Sequence, residues 1–309
     1  MFGRPKAFVT PRELADALGV SESSLKRWAD EGRIQASRTA GGHRRIPVAE
    51  AVRFIRESRL ELERPELLGF DELVLAGPAA EVATADALFD AFTRDDWRIG
   101  RSLIVSSYLA GASVAAIGDG PVREALRRAG ELWLAGREGI VVEHRAVDTC
   151  LQAFGVIRSS IRVADPAAPL AVGGAVSGDP YVLPSLIAAT VLAEVGFRDV
   201  NLGPEVPTGA MEAAIDRYAP AIVWRSVSIE IAAEAVGRDV LALRDRLAAS
   251  RGNLVVGGRG FPADAFTVPE RAHHLASMGE LAAFARGLLA ARASEPRSDD
   301  PSGGVPSGR

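Results

Sequence analysis

Along the first sixty residues, apolar positions recur at helical spacing and stop at glycines. Thr10-Pro-Arg-Glu13 has the capping-box pattern, with a Thr cap, Pro at the first helical position and Glu at the third. Leu14, Ala17 and Leu18 follow on one face, and Gly19 ends the run. Ser21 is placed to cap a second helix over Glu22–Glu31, and Gly32 stops it. Two helices parted by so short a turn predict a helix-turn-helix. RIQASRTAGGHRRI, residues 33–46, reads as a short hairpin with Gly41-Gly42 just past its turn, and Val48–Arg59 as a third helix.

From about 71 to 160 the pattern stays helical, with breaks at Gly and Asp. It predicts helices over about 81–93, 95–109, 110–135 (interrupted near Gly118-Asp119-Gly120) and 140–160, which together make a four-helix bundle. Residues 162–169 read as a linker. The period then changes. Strand-like runs at 170–176, 200–202, 221–227, 253–256 and about 272–275 alternate with helical runs at 184–195, 208–218, 231–250 and 278–293. Such alternation predicts a doubly wound α/β domain, a Rossmann-like parallel sheet covered on both faces. The expected division is 1–65, 71–161, 168–293, and a tail, 294–309, too poor in apolar residues to order.

Composition adds an asymmetry. The net charge is −4, yet residues 1–60 hold 12 Lys/Arg against 7 Asp/Glu, so the remaining residues carry −9. A basic small domain on an acidic body points to an anionic partner for the N-terminus alone. One cysteine, Cys150, precludes an internal disulfide framework and fits a reducing cytoplasm. No charge-free apolar run reaches the roughly 18 residues of a membrane span, and the first residues lack a signal-peptide core.

Lys26 and Arg27 lie on the second helix, where they can reach groove edges and phosphates, while Leu25 and Trp28 face the small core. The hairpin adds Arg38, Thr39, His43, Arg44 and Arg45. Arginine forks grip phosphate bidentately, and a Gly-Gly turn lets backbone N–H groups approach it. LADALGVSESSLKRWADEGRI…SRTAGGHRRI resembles the winged helix-turn-helix of the MerR family of transcription regulators, a resemblance that covers residues 8–60. It implies a double-stranded operator and a homo-oligomer, dimer or tetramer. No heptad run follows residue 60, so self-association is expected from another part of the chain.

In the bundle, His144, Val147, Leu151 and Phe154 share a face, so His144 is expected to look inward with Glu143 beside it. An inward Glu–His pair is costly unless paired or in contact with a ligand. Trp133-x9-Glu143-His144 resembles the W-x9-EH motif of the B12-dependent, light-responsive MerR-type repressors of the CarH and LitR group. The resemblance implies that these three residues cover the upper face of adenosylcobalamin. Light-sensing members can carry a His directly after the Trp; here that residue is Leu134. Cys150 reads as an inert core thiol or, alternatively, as an anchor for a different tetrapyrrole. His273 and His274 are assigned structural or surface roles.

Between a strand and a helix lies SGDPYVLPSL, residues 177–186, at a junction where doubly wound domains bind ligands. Corrinoid-binding domains share D-x-H-x-x-G, then S-x-L, then G-G, and this chain resembles them in register. Asp179-Pro-Tyr181-Val-Leu-Pro184 is followed after 41 residues by Ser226-Val-Ser228 and after 28 more by Gly257-Gly258. In that family the His ligates cobalt from below while the nucleotide tail threads between sheet and helix. Here Tyr181 stands in the His position and Pro184 in the Gly position, and a neutral phenol of pKa about 10 is a poor cobalt ligand.

These residues leave three outcomes open: cobalamin held with no protein ligand to cobalt, another tetrapyrrole or flat apolar molecule, or no small molecule, the B12-binding-type domain serving oligomerisation. The expected function is a DNA-binding transcription regulator, a repressor, with a corrinoid-type sensor region, in the bacterial cytoplasm; the alternative is a ligand-independent regulator whose B12-like domain serves oligomerisation. A corrinoid methyltransferase subunit is the enzymatic alternative, disfavoured by the missing cobalt ligand and the basic wing. No resident metal site is expected.

Overall fold

The computed structural model describes residues 6–38, 40–71, 73, 83–250, 252–262 and 269–294. The winged unit comprises β1 (Phe8–Val9), α1 (Pro11–Ala17), α2 (Glu22–Asp30), β2 (Ser37–Arg38), β3 (Arg44–Pro47) and α3 (Val48–Ser58). The capping box forms: Glu13 N–H donates to Thr10 Oγ1 at 3.1 Å, and Thr10 N–H to Glu13 Oε2 at 2.8 Å. That bonding holds the Glu13 carboxyl below its usual range. Ser21 caps α2 by accepting from Ser24 N–H. The three strands pair antiparallel in the order β1-β3-β2.

The helical part contains α4 (Ala85–Thr93), α5 (Trp97–Leu109), α6 (Val114–Ile117), α7 (Arg123–Glu131) and α8 (Arg137–Ser160). Helices α4, α5, α7 and α8 pack on one another as a bundle. The expected break near Gly118 is a π-turn over Gly118–Val122 that joins α6 to α7. The buried stripe of α8 runs through Ala146, Cys150, Ala153, Phe154 and Ile157. It is rotated from the face that the sequence suggested, and His144 lies off it. The stripe of small residues lets α5, buried from Gly100 to Leu109, approach closely.

The α/β part alternates β4 (Leu170–Ala175), α9 (Leu183–Val195), β5 (Arg198–Asn201), α10 (Thr208–Tyr218), β6 (Ile222–Ser226), α11 (Ala233–Leu247), β7 (Asn253–Gly257), β8 (Ala272–His274) and α12 (Met278–Ser294). All its strands are parallel, in the order β5-β4-β6-β7-β8. The order reverses between β4 and β6, which makes the loops after those strands the switch point of the sheet. Successive residues of β6 alternate between layers. Ile222 and Trp224 join the core that contains α9 and α12, while Val223 and Val227 join that of α10 and α11. Of the tail expected over 294–309, Ser294 ends α12 and the rest lies outside the described residues. No helix among the described residues is long and apolar enough to cross a membrane.

One buried cluster runs without interruption from the winged unit through the bundle to α9 and α12. Two polar joints cross it. Arg56, in the last turn of α3, donates to the carbonyls of Tyr108 and Ala112 in the bundle and to Glu194 Oε1, at 2.9 Å, in α9. Its guanidinium also lies 3.6 Å from the Tyr108 ring centre. Glu194 Oε2 accepts from Val114 N–H at 2.9 Å, the first residue of α6. Burial raises the Glu194 carboxyl above its usual range and pushes the Tyr108 phenol up to about 12. In the second joint, both carboxylate oxygens of Asp119 accept from the N-terminus of α12, at Met278 N–H and Gly279 N–H.

Arg56→Ala leaves Glu194 buried beside an unopposed set of dipoles and should cost roughly 2–4 kcal/mol. Without the guanidinium, the Glu194 pKa rises further in the folded state. Folded protein then binds the proton more readily than unfolded chain, so stability falls as pH rises through that pKa. Urea melts should therefore show a larger deficit at pH 8 than at pH 5; an equal deficit at both would place the effect elsewhere than at Glu194.

Candidate nucleic-acid interface and the loop cluster of the sheet

Helix α2 buries Leu25 and half-buries Trp28, whose ring meets Phe54 at 5.2 Å. The opposite side presents Lys26 and Arg27 to solvent. Their pairs, Lys26–Glu22 at 3.1 Å and Arg27–Glu31 at 3.9 Å, are exposed and weak enough to exchange for phosphate. In the wing, Arg38 opposes Arg44 and Ser37 opposes Arg45. Gly42, at φ +80°, supplies the left-handed turn residue. Arg44 turns back and donates to Asp30 Oδ1 at 2.7 Å, so it braces the wing against α2. Arg38, His43 and Arg45 remain exposed around the tip. Thr39 lies outside the described residues. The register places Arg38 and Arg44 on one face of the hairpin and Arg45 on the other, with Arg44 also bracing the wing against α2.

The bundle residues are placed differently from expectation. His144 is exposed, not inward; its Nδ1 lies 2.9 Å from Ile140 O and 3.0 Å from Glu143 Oε2. Trp133, half exposed, stacks near it with ring centres 6.3 Å apart. Trp133, Glu143 and His144 do come together at the α7–α8 corner, where Leu134, 94% exposed, and Val141 also face solvent. The reason is helical phase: α8 begins at Arg137, and its buried stripe passes through Ala146 and Cys150. Cys150 is fully buried among apolar side chains, which pushes its thiol far up. An inert core thiol follows, not an anchor.

At the switch point the motif residues converge. Asp179 is fully buried, and its carboxylate accepts from Ser228 N–H at 2.6 Å and from Tyr181 N–H at 3.1 Å. It ties the β4 loop to the β6 loop and has no imidazole to orient. Gly257 and Gly258 serve backbone proximity: a Cβ at Gly258 would lie 2.2 Å from Val227 O, and one at Gly257 2.4 Å from Leu275 O. The hydroxyls of Ser226 and Ser228 are buried without a hydrogen-bond partner among the described residues. His273 and His274 pack on Phe284 and Phe261, in line with structural roles, and burial lowers the His273 pKa.

Several residues of this region escaped the sequence reading. Arg225, 2% exposed, donates from Nε and Nη2 to Asp239 and from its two Nη groups to the carbonyls of Ala175 and Val206. Thr208 adds a hydroxyl to the same carboxylate. On the other face of β6, Trp224 donates from Nε1 to Ser185 Oγ at 3.0 Å, and Ser185 donates to Asn201 Oδ1 at 2.8 Å. An Arg and a Trp inside an otherwise apolar strand, IVWRS, were the signal.

Residues 8–59 match a helix-turn-helix domain family. No curated protein matches the chain significantly. Among solved structures, the monomethylamine corrinoid protein of Methanosarcina barkeri is 17% identical; the match covers 65% of this chain and 96% of that one, with a TM-score of 0.50. A cobalamin-binding protein from Desulfitobacterium hafniense DCB-2 is 17% identical over 68% of this chain and 97% of its own, at a TM-score of 0.33. The methanol:cobalamin methyltransferase complex MtaBC of Methanosarcina barkeri is 15% identical over 87% and 93%, at 0.35. The first of these shows a corrinoid-protein fold. The chain therefore joins a DNA-binding-type helix-turn-helix to a corrinoid-type α/β module.

That fold implies a cobalamin, and the residues present do not fit one bound through a displaced base. Tyr181 supplies no imidazole, Asp179 is committed to backbone donors, and the layer between β4, β6 and α9 holds the Trp224 ring. No group of three His, Cys, Asp or Glu among the described residues is arranged to hold a metal ion.

The double acceptor role of Asp179 sets its expected phenotype. Asp179→Ala strands two backbone donors and should cost roughly 2–3 kcal/mol in urea unfolding. DNA affinity at a temperature where the variant is folded should match wild type. A variant of wild-type stability would mean that Asp179 is not the tie between the two loops.

Proposed function

We propose that this chain is a DNA-binding transcription regulator, a repressor that works by occupying its operator as a homo-oligomer in the bacterial cytoplasm, and that it is not an enzyme. The observation that carries this reading is the winged unit itself: Lys26 and Arg27 stand exposed on α2 of a capped helix-turn-helix, and Arg38 and Arg45 stand exposed on its wing. Arginine and lysine so placed meet phosphate from the wing and base edges from α2. One such module gives modest affinity, so a repeated or palindromic site and a dimer or larger assembly are expected. The corrinoid-type module serves as the body that carries these units, and cobalt chemistry has no part in the mechanism. The absent lower ligand argues in the same direction against a methyltransferase role.

The unpartnered hydroxyls of Ser226 and Ser228 favour one second reading, in which a small polar effector meets the ends of β6 and β7. A thermal-shift screen of polar metabolites against wild type and Ser226→Ala separates the two: a shift lost in the variant supports an effector, and a silent screen supports the effector-free regulator.

DNA binding is tested by fluorescence anisotropy on a pool of random duplexes of about 30 base pairs, titrated with salt. Arg45→Ala should weaken binding to all sequences alike and reduce the log–log salt slope by about one. Lys26→Ala should also alter which sequences are enriched after selection. An unchanged slope for Arg45→Ala would remove the wing from the interface, and absence of salt-dependent binding by wild type would overturn the reading.

A further inference from the structure

We infer that Trp224 is a built-in filler of the layer between the sheet and α9, in the place an aromatic nucleotide base would need, so that the module is complete without a corrinoid. This inference concerns the α/β module and stands apart from DNA binding. Trp224 lies on β6 directly opposite Gly173 of β4. A Cβ at Gly173 would fall 2.0 Å from Trp224 Cδ2, so the ring lies across the neighbouring strand and the glycine makes room for it. Only 2% of Trp224 is exposed. Its Nε1–H reaches Ser185, in the first turn of α9, which in turn reaches Asn201, and Asn201 Oδ1 also accepts from Gly203 N–H at 3.1 Å. Trp224 Nε1, Ser185 Oγ and Asn201 Oδ1 each have a protein partner, and Leu183 and Ile187 of α9 belong to the same buried cluster as the indole.

The chemistry of the filler is specific. Indole is a planar bicycle with one ring N–H, close in size and shape to a benzimidazole. A helix and two strands packed around one of them leave no room for the other. A corrinoid that displaces its base into this layer must first expel a buried, hydrogen-bonded tryptophan. The slot accepts a planar heterocycle only when the indole has been removed.

The test uses the full chain and three probes: adenosylcobalamin, benzimidazole and indole. Wild type should give no base-off absorbance spectrum with adenosylcobalamin and no shift in melting temperature with any probe. Trp224→Ala should melt roughly 10 °C lower, and millimolar indole or benzimidazole should restore part of the loss. Stoichiometric base-off uptake by wild type would overturn the inference, as would a benzimidazole shift of equal size in wild type and variant, or an Ala variant that melts with wild type. If Trp224→Ala does not fold, Trp224→Phe keeps a ring and loses the Ser185 bond; it should fold, melt below wild type and still reject adenosylcobalamin, and base-off uptake by it or by wild type would count against the filler.

Discussion

The guanidinium of Arg56 touches all three parts of the chain. It leaves the last turn of the winged unit, caps two carbonyls at the α5–α6 corner of the bundle, and closes on Glu194 near the end of α9. Glu194 spends its second oxygen on the first N–H of α6. A cation and an anion that are both largely buried are expensive to desolvate, and each is tolerated only because the other parts supply its partners. The DNA-binding-type unit is therefore fixed to the body, not tethered by a loose linker. Asp119, placed by the π-turn, repeats the arrangement from bundle to α12. Any change that moves α9 against the bundle must first break one of these joints.

The α/β module uses the two faces of β6 for two different locks. Trp224 fastens the sheet to α9 by filling volume and bonding to Ser185. Arg225 fastens the opposite face to α11 through Asp239, and also reaches the carbonyls of Ala175 and Val206. Asp179 joins the two loops above them. Together these place hydrogen-bonded polar side chains on both faces of β6 and in the loops above it. Among the described residues of this module, the buried side-chain atoms left without a partner are the hydroxyls of Ser226 and Ser228 at the strand ends and Nε of Arg244 on α11.

The order of elements was legible because each is signalled locally. The Thr10 capping box, the Gly stops, and the switch from helical to alternating period at Leu170 all fall within a residue or a few of the observed bounds. The motif register from Asp179 to Gly258 also identified the module. His144 was misjudged because hydrophobic spacing alone does not fix the phase of α8. Its true buried stripe uses Ala146, Thr149, Cys150 and Ala153, small residues that score weakly as apolar yet allow the close approach of α5. The bond from Arg44 to Asp30 was not legible either, because it depends on how the wing folds over α2, a long-range fact that leaves the reading of Arg44 as a phosphate contact standing. Arg56, Glu194 and Trp224 were missed for a similar reason. Each is ordinary in its own element, and its meaning lies in partners from 39 to 138 residues away.

The molecule joins a basic winged unit to a body whose sheet–helix layer holds the buried Trp224 ring. DNA binding should neither need nor answer to cobalamin. The most direct measurement is an anisotropy titration of a random duplex pool with protein prepared without corrinoid, repeated with excess adenosylcobalamin in darkness and after illumination. Superimposable curves, with the same affinity and the same salt slope, are the predicted result. A tenfold change in affinity on adding adenosylcobalamin, or on illuminating the mixture, would contradict it.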